Sequence, residues 1–338
     1  MSLDWSNLGF AYQETNCHIR YIWKDGVWSQ GELVESPYIN LHIAATALHY
    51  GQSAFEGLKA FRHKDGKIQV FRADMNAARI NSSARQIMMA ELPEELFLDA
   101  VRRVILANQE FVPPYGSGAS LYIRPLLFGS GPQIGVNPSQ EYTFIVLVTP
   151  VGAYYKGGLT PMRAIVSTDY DRAAPHGTGH VKLGGNYAAS LLPHHLANQA
   201  GFPMSLYLDP VEHKYIEEFG TSNFLAISQD GKYLTSKSKS ILPSITNEGL
   251  CQLAAHLGMP VERRCIEFAE IEDFAEVAAC GTAVVITPVN EIVHGERVYK
   301  IGPAEGAGPM LQKLYNHYTA IQWGEQEDQF GWLSAVTE

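Results

Sequence analysis

Lys182 stands in the run His180-Val181-Lys182-Leu183-Gly184-Gly185-Asn186-Tyr187, where a Gly-Gly pair leaves room for an amine to approach a flat ligand. Two further segments follow: Glu217-Glu218-Phe219-Gly220-Thr221-Ser222-Asn223, then Cys280-Gly281-Thr282-Ala283-Val284-Val285-Ile286-Thr287-Pro288. A lysine, a carboxylate and a Gly-Thr turn are parts of one chemistry. The lysine condenses with an aldehyde, the carboxylate keeps a ring nitrogen protonated, and turn amides cradle a phosphate. Singly each part is weak. Most lysines are solvated surface charges, and two adjacent glutamates read first as a surface loop.

Taken together the segments resemble the branched-chain aminotransferase family, in the fold-type IV group of pyridoxal phosphate enzymes, from about Ile39 to Val298. The resemblance implies an α+β, two-domain, D-amino acid aminotransferase-like fold. It makes Lys182 the Schiff-base lysine and proton shuttle, Tyr187 the partner of the cofactor's phenolic oxygen, and Glu218 rather than Glu217 the partner of its ring nitrogen. Phe71-Arg72-Ala73-Asp74-Met75-Asn76-Ala77-Ala78-Arg79 matches the segment whose last arginine binds phosphate. Ser244-Ile245-Thr246 opens a helix, where amides and dipole favour an anion. Ile245 and Thr246 would donate there, and Gly281-Thr282 would supply a third arm.

The substrate pocket implied by the resemblance draws on His49-Tyr50-Gly51-Gln52-Ser53-Ala54-Phe55-Glu56-Gly57, with Phe55 and Gly57 lining an apolar wall. Leu121-Tyr122-Ile123-Arg124-Pro125 puts Tyr122 and Arg124 on one strand face. Tyr154 matches a mobile-loop tyrosine, and the amides of Ala283 and Val284 would meet the substrate carboxylate. The implied reaction moves the amino group of L-leucine, L-isoleucine or L-valine to 2-oxoglutarate, giving 2-oxo acids and L-glutamate. The rivals are a D-amino acid transaminase or aminodeoxychorismate lyase of the same fold, or a non-catalytic pyridoxal phosphate-binding protein. The usual signature has an aromatic residue where Leu225 stands, an aliphatic one at Tyr233 and a basic one at Asn247. The Cys-x-x-Cys switch of animal mitochondrial relatives is replaced by Val284 and Thr287, so that regulation is not expected. The loop Gly129-Ser130-Gly131-Pro132-Gln133-Ile134-Gly135-Val136 resembles one that reaches the neighbouring subunit's pocket, which implies a homodimer.

The elements that must position these residues follow from pattern. Ile19–Trp23 and Gly26–Trp28 suggest a hairpin. A helix is expected over Ala73–Met89, with Met75, Ala78, Ile80, Ala84, Ile87 and Met88 apolar, and another over Phe97–Glu110. Asn186–Gly201 reads as one helix, Thr246 as the cap of a helix through Leu257, and Pro303–Tyr318 as the last helix. At 338 residues two domains are expected: a small α+β domain over 1–149, a glycine-rich connector over 150–161, and a larger α+β domain over 162–338 carrying the lysine.

Hydrophobic content of 46% and charged content of 18% describe a globular protein. A net charge of -10 argues against nucleic acid or an anionic membrane as a main partner, and the resemblance implies small amino acids and 2-oxo acids instead. Cys17, Cys251, Cys265 and Cys280 show no metal-ligand spacing and read as reduced thiols. No signal-peptide pattern and no membrane-length apolar run appear, so the cytoplasm is the expected location.

Overall fold

The computed structural model describes residues 4–5, 8–152 and 159–336. In chain order the elements are β1 (His18–Lys24), β2 (Val27–Trp28), β3 (Glu32–Val34), α1 (Thr46–Tyr50), β4 (Ser53–Phe55), β5 (Leu58–Arg62), β6 (Ile68–Phe71), α2 (Ala73–Gln86), α3 (Glu94–Ala107), β7 (Ser120–Gly129) and β8 (Glu141–Val151). Then come β9 (Met162–Val166), α4 (Gly184–Ala189), α5 (Leu191–Gln199), β10 (Met204–Leu208), β11 (Tyr215–Phe219), β12 (Ser222–Ser228), β13 (Tyr233–Ser236) and α6 (Ile245–His256). The chain closes with β14 (Val261–Arg264), β15 (Ile266–Glu267), β16 (Phe274–Gly281), β17 (Val285–His294), β18 (Arg297–Lys300), α7 (Pro309–Gln322) and β19 (Leu333–Ala335). Helices and sheets are mixed in both halves, as an α+β fold requires.

Contacts divide the chain into two units, one of Met1–Tyr154, Val181–Gly185 and Ile321–Glu338, the other of Tyr155–His180 and Asn186–Ala320. This differs from a single cut at 150–161, because two later segments fold back onto the first unit. Leu183 bridges Ala54, and the Phe55 N–H donates to Lys182 O at 3.1 Å. At the C-terminus β19 pairs with β6, and Trp332 packs edge-on against Phe71.

Among the described residues the first unit holds a nine-stranded sheet of order β19-β6-β5-β7-β8-β1-β2, with β3 also on β1 and β4 also on β7. Its pairings are antiparallel, and α2 and α3 cover one face over a core that includes Ile80, Phe97, Val104, Ile123 and Phe144. The expected hairpin is there, with Asp25 and Gly26 both at positive φ in its turn. The second unit holds a ten-stranded sheet of order β14-β13-β12-β16-β17-β9-β10-β11-β15, with β18 also on β17. An added β11–β12 pairing closes six of its strands into a ring around Leu206, Phe219, Phe224, Val277 and Ile292. Closure leaves those strands without an open edge.

Several helix bounds depart from the pattern reading for local reasons. The second helix starts at Glu94 rather than Phe97, because Pro93 suits a helix start and Glu94 and Glu95 favour its positive end. The stretch Asn186–Gly201 breaks at Ser190, whose hydroxyl donates to Tyr187 O. The last helix begins at Pro309 rather than Pro303, since Gly302 and Gly306 sit at positive φ. Ser244, not Thr246, is the N-cap of α6: its Oγ accepts from the Asn247 N–H at 3.1 Å.

Candidate active site

In the first unit the site grows from α2 and from one face of the β4–β7 pairing. The buried face of α2 is Ala73, Asn76, Ala77, Ile80, Ser83 and Ala84. Met75 is only partly buried and Ala78 is exposed, so the apolar face expected from sequence is rotated. Two polar residues take the inward places, and both serve the site. Asn76 Nδ2 donates to Glu56 Oε2 at 2.7 Å, and Ser83 Oγ accepts from the Lys182 main-chain N–H at 3.0 Å.

Glu56 is fully buried and grips Arg79 at two points, Nε on Oε1 and Nη2 on Oε2, each at 2.7 Å. A two-point grip fixes the plane of a guanidinium as well as its place. Glu56 has no role in the sequence reading. Nothing but its place in Phe55-Glu56-Gly57 could have marked it.

Lys182 is held by its own main chain on both sides, through Ser83 and Phe55. Its Nζ lies 4.9 Å from the centre of the Phe55 ring. Burial, followed by the positive charge of Arg79, pushes the ammonium down to about 8, with Glu56 opposing. This is the condition for an amine that must act as a nucleophile and a base.

Phe55 pairs with Leu126, and Tyr122 and Arg124 follow on the same face of β7. Arg124 Nη2 donates to the Tyr122 hydroxyl at 3.0 Å, and its guanidinium lies over both Phe55 (4.9 Å) and Tyr122 (5.2 Å). The Arg124 Nε is buried without a hydrogen-bond partner among the described residues. Gly57 makes room for Tyr122, because a Cβ there would overlap the Tyr122 hydroxyl. The first unit thus brings together Phe55, Gly57, Arg79, Tyr122, Arg124 and Lys182. Tyr154 lies outside the described residues.

In the second unit Glu217 and Glu218 both lie buried on β11, not on a surface loop, and strand alternation sends them to opposite faces. Glu217 accepts from the hydroxyls of Ser238 and Ser240. Glu218 sits in the row Glu218–Asn223–Cys280 across β11, β12 and β16. Its Oε1 pairs with Arg172 Nε at 2.8 Å and accepts from the Leu242 N–H at 3.1 Å, while Oε2 accepts from Asn223 Nδ2 at 3.1 Å. Arg172, like Glu56, has no mark in the sequence.

Three residues beyond Leu242 the chain enters α6, whose first turn carries Ile245 and Thr246, both buried. Gly281 ends β16 one place past Cys280, and Thr282, Ala283 and Val284 form the turn into β17. Val285 closes that turn at φ 67°, a costly conformation for a β-branched residue. Tyr187 on α4 lines a cavity of about 190 Å³ together with Tyr207, Phe219, Gly220 and Thr221. Burial raises the Cys280 thiol well above its ordinary range and Cys251 to about 11, so both stay protonated and unreactive near neutral pH.

The Amino-transferase class IV family model matches residues 53–292. The branched-chain-amino-acid aminotransferase of Haemophilus influenzae is 48% identical, over 99% of this chain and 99% of that protein. The solved branched-chain amino acid aminotransferase of Escherichia coli is 31% identical with a TM-score of 0.79, over 94% of this chain and 99% of that one. The branched-chain aminotransferase of the archaeon Thermoproteus uzoniensis, solved with norvaline, is 26% identical with a TM-score of 0.77, over 94% and 99%. Another solved branched-chain amino acid aminotransferase carries pyridoxamine 5′-phosphate, and further structures of it hold N-(5′-phosphopyridoxyl)-L-glutamate and 4-methylvaleric acid. A family match across most of the chain and near full-length relatives show that the chain belongs to the class IV aminotransferase family, among its branched-chain-amino-acid aminotransferases.

Proposed function

We propose that this protein moves the amino group of L-leucine, L-isoleucine or L-valine to 2-oxoglutarate, using pyridoxal 5′-phosphate bound through Lys182. The observation that carries the reading is the Lys182 amine, held down to about 8 beside Arg79 and Phe55. The donor set suits the cofactor: a depressed amine, a buried ionic carboxylate and a two-point-held arginine. The residues assigned to the cofactor are Lys182, Arg79, Tyr187, Glu218, Ile245, Thr246, Gly281 and Thr282.

When bound, the cofactor supplies an aldehyde for the amino group and a conjugated ring that accepts the electron pair left at Cα. Lys182 does the proton work. An amine with a pKa of about 8 is about half neutral at pH 8 and can take the Cα proton of an amino acid. Arg79 places a fixed positive charge for a phosphate, and Glu56 keeps its fork from turning. Phe55 offers an apolar wall to an aliphatic side chain, and Arg124 a charge to the γ-carboxylate of glutamate. The amides of Ala283 and Val284 are assigned to the substrate α-carboxylate.

The test is an assay of the purified protein with a panel of L- and D-amino acids and 2-oxoglutarate. Glutamate should form with L-leucine, L-isoleucine and L-valine and not with their D-forms. Turnover of the D-forms alone would transfer the protein to the D-amino acid rival. Borohydride reduction and peptide mapping should place the cofactor on Lys182, and a label on another lysine would remove that assignment.

The reading extends to a cytoplasmic homodimer. Among the described residues no helix is long and apolar enough to cross a membrane. The chain from Ala44 to Ala45 holds the loop beyond Pro132, and the two segments expose Ile43, Leu48, Ile134 and Val136 together. Exposed apolar side chains on two segments linked in this way support a contact surface.

A further inference from the structure

The Arg172 guanidinium is anchored independently of the carboxylate it faces. Its Nη1 donates to two main-chain carbonyls, Gly179 O at 3.2 Å and Ser240 O at 3.1 Å, while Nε meets Glu218 Oε1 at 2.8 Å. Gly179 is what lets those carbonyls converge. A Cβ on Gly179 would overlap Ser240 O and press on Ala173. A cation fixed by the backbone orients its partner, rather than following it. The two Glu218 oxygens are therefore not equivalent. Oε1 meets the guanidinium and the Leu242 N–H, and Oε2 meets the Asn223 amide, itself tied to Leu242 O at 3.0 Å.

We propose that Arg172 is a positioning residue that keeps Glu218 ionised and in one rotamer, ready to pair with the protonated ring nitrogen of the cofactor. This rests on reading Glu218 as the ring-nitrogen partner. An ionised carboxylate accepts several hydrogen bonds at once, so serving Arg172, Leu242 and Asn223 is compatible with accepting from a ring N–H. A carboxylate this buried, stripped of its cation, would favour the neutral acid and could turn. It would then greet a pyridinium with the wrong charge or the wrong oxygen. Leaving a single residue to do both jobs would also let Glu218 swing toward any other donor when the cofactor is absent. The carbonyl-anchored guanidinium prevents this.

The experiment measures dissociation constants for pyridoxal 5′-phosphate and for its 1-deaza analogue, in which a CH replaces the ring nitrogen. The proteins are the wild type, Arg172→Met, Arg172→Lys, Gly179→Ala, Glu218→Gln and the Arg172→Met/Glu218→Gln pair. The wild type should prefer the cofactor that has its nitrogen. Arg172→Met should shrink this preference about tenfold or more, a change of about 1.4 kcal/mol. Arg172→Lys should restore part of it, and Gly179→Ala should erode it in the same direction. In the Glu218→Gln background, Arg172→Met should add nothing further. Arg172→Met weakening both ligands equally would reduce Arg172 to a structural ion pair. If Arg172→Met does not fold, Arg172→Lys and Gly179→Ala carry the same comparison. Glu218→Gln retaining the full preference would remove the reading of Glu218 itself. Loss in Glu218→Gln with retention in the Arg172 and Gly179 variants would overturn only the present proposal.

Discussion

At the scale of single residues, two lysines of the first unit, Lys59 on β5 and Lys182 just before α4, are held below their ordinary range by burial. Lys182 and Lys59 are each pushed to about 8. The linkage has a definite sign. Between about pH 8 and 10.5 the unfolded chain binds more protons than the folded one, so stability rises with pH across that window. Below about 8 both states are protonated and the burial cost is fully present. The raised thiols of Cys251 and Cys280 pull the other way, so the difference between variants is the clean measure. Denaturant unfolding of the cofactor-free protein should show a shallower stability gain in Lys182→Met than in wild type. The gap should approach about 1.4 kcal/mol per pH unit within the window. Equal slopes would mean that the amine is solvated.

Arg124 answers a different demand, since one pocket must take an aliphatic side chain and the γ-carboxylate of glutamate. Its guanidinium lies over Phe55 and donates to Tyr122, so apolar wall and charge share one place. Arg124→Ala should damage the half-reaction with 2-oxoglutarate far more than that with 2-oxoisocaproate, by about ten- to a hundredfold for a lost charge-assisted pair. Single-turnover measurements of the two half-reactions decide it. Equal losses would make Arg124 structural.

At the scale of elements, two departures from the family signature explain each other. Tyr233 on β13 and Asn247 in the first turn of α6 each differ from the usual residue, and Tyr233 Oη donates to Asn247 Oδ1 at 2.6 Å. Asn247 Nδ2 completes the link to Thr235 Oγ1 at 2.8 Å. A strand and a helix start are joined by a buried polar pair where the usual signature has an aliphatic residue and a basic one. Tyr233→Phe should cost about 1–3 kcal/mol, because it strands a buried acceptor. The double change Tyr233→Leu/Asn247→Ala should cost less than the sum of the two singles. Thermal unfolding of the four proteins supplies the cycle, and strict additivity would show that the pair is incidental.

At the scale of the whole molecule, each unit has its own sheet and its own core, and the lysine segment folds with the first. The exposed surface of that unit is where assembly would act. Ile43 is 82% exposed and Val136 84%. Val136→Asp should shift the sedimentation coefficient from that of a dimer toward a monomer and reduce activity with it. A variant that remains dimeric would move the interface elsewhere.

Much of the candidate site was legible from sequence because its residues sit in short contiguous segments. Lys182 beside Gly184-Gly185, Glu218 before a Gly-Thr turn, and Tyr122 two places from Arg124 are marked by short motifs that resemble the family's, and a short motif needs only local sequence to be recognised. The hairpin at Asp25-Gly26 was readable for the same reason, since turn chemistry is a property of neighbours in sequence, whereas Glu217 and Glu218 lie on β11 and not on the surface loop that their polarity suggested. What tertiary structure alone decided is which distant groups complete those segments. Glu56 reaches Arg79 and Arg172 reaches Glu218 across gaps with no periodicity, so no local pattern records them. Asn76 and Ser83 occupy the buried face of α2 against their polarity, because their partners lie on other segments. Burial depends on the whole fold, and so does the depressed amine of Lys182: a sequence names the lysine, but only the packed interior removes the water that would keep it charged.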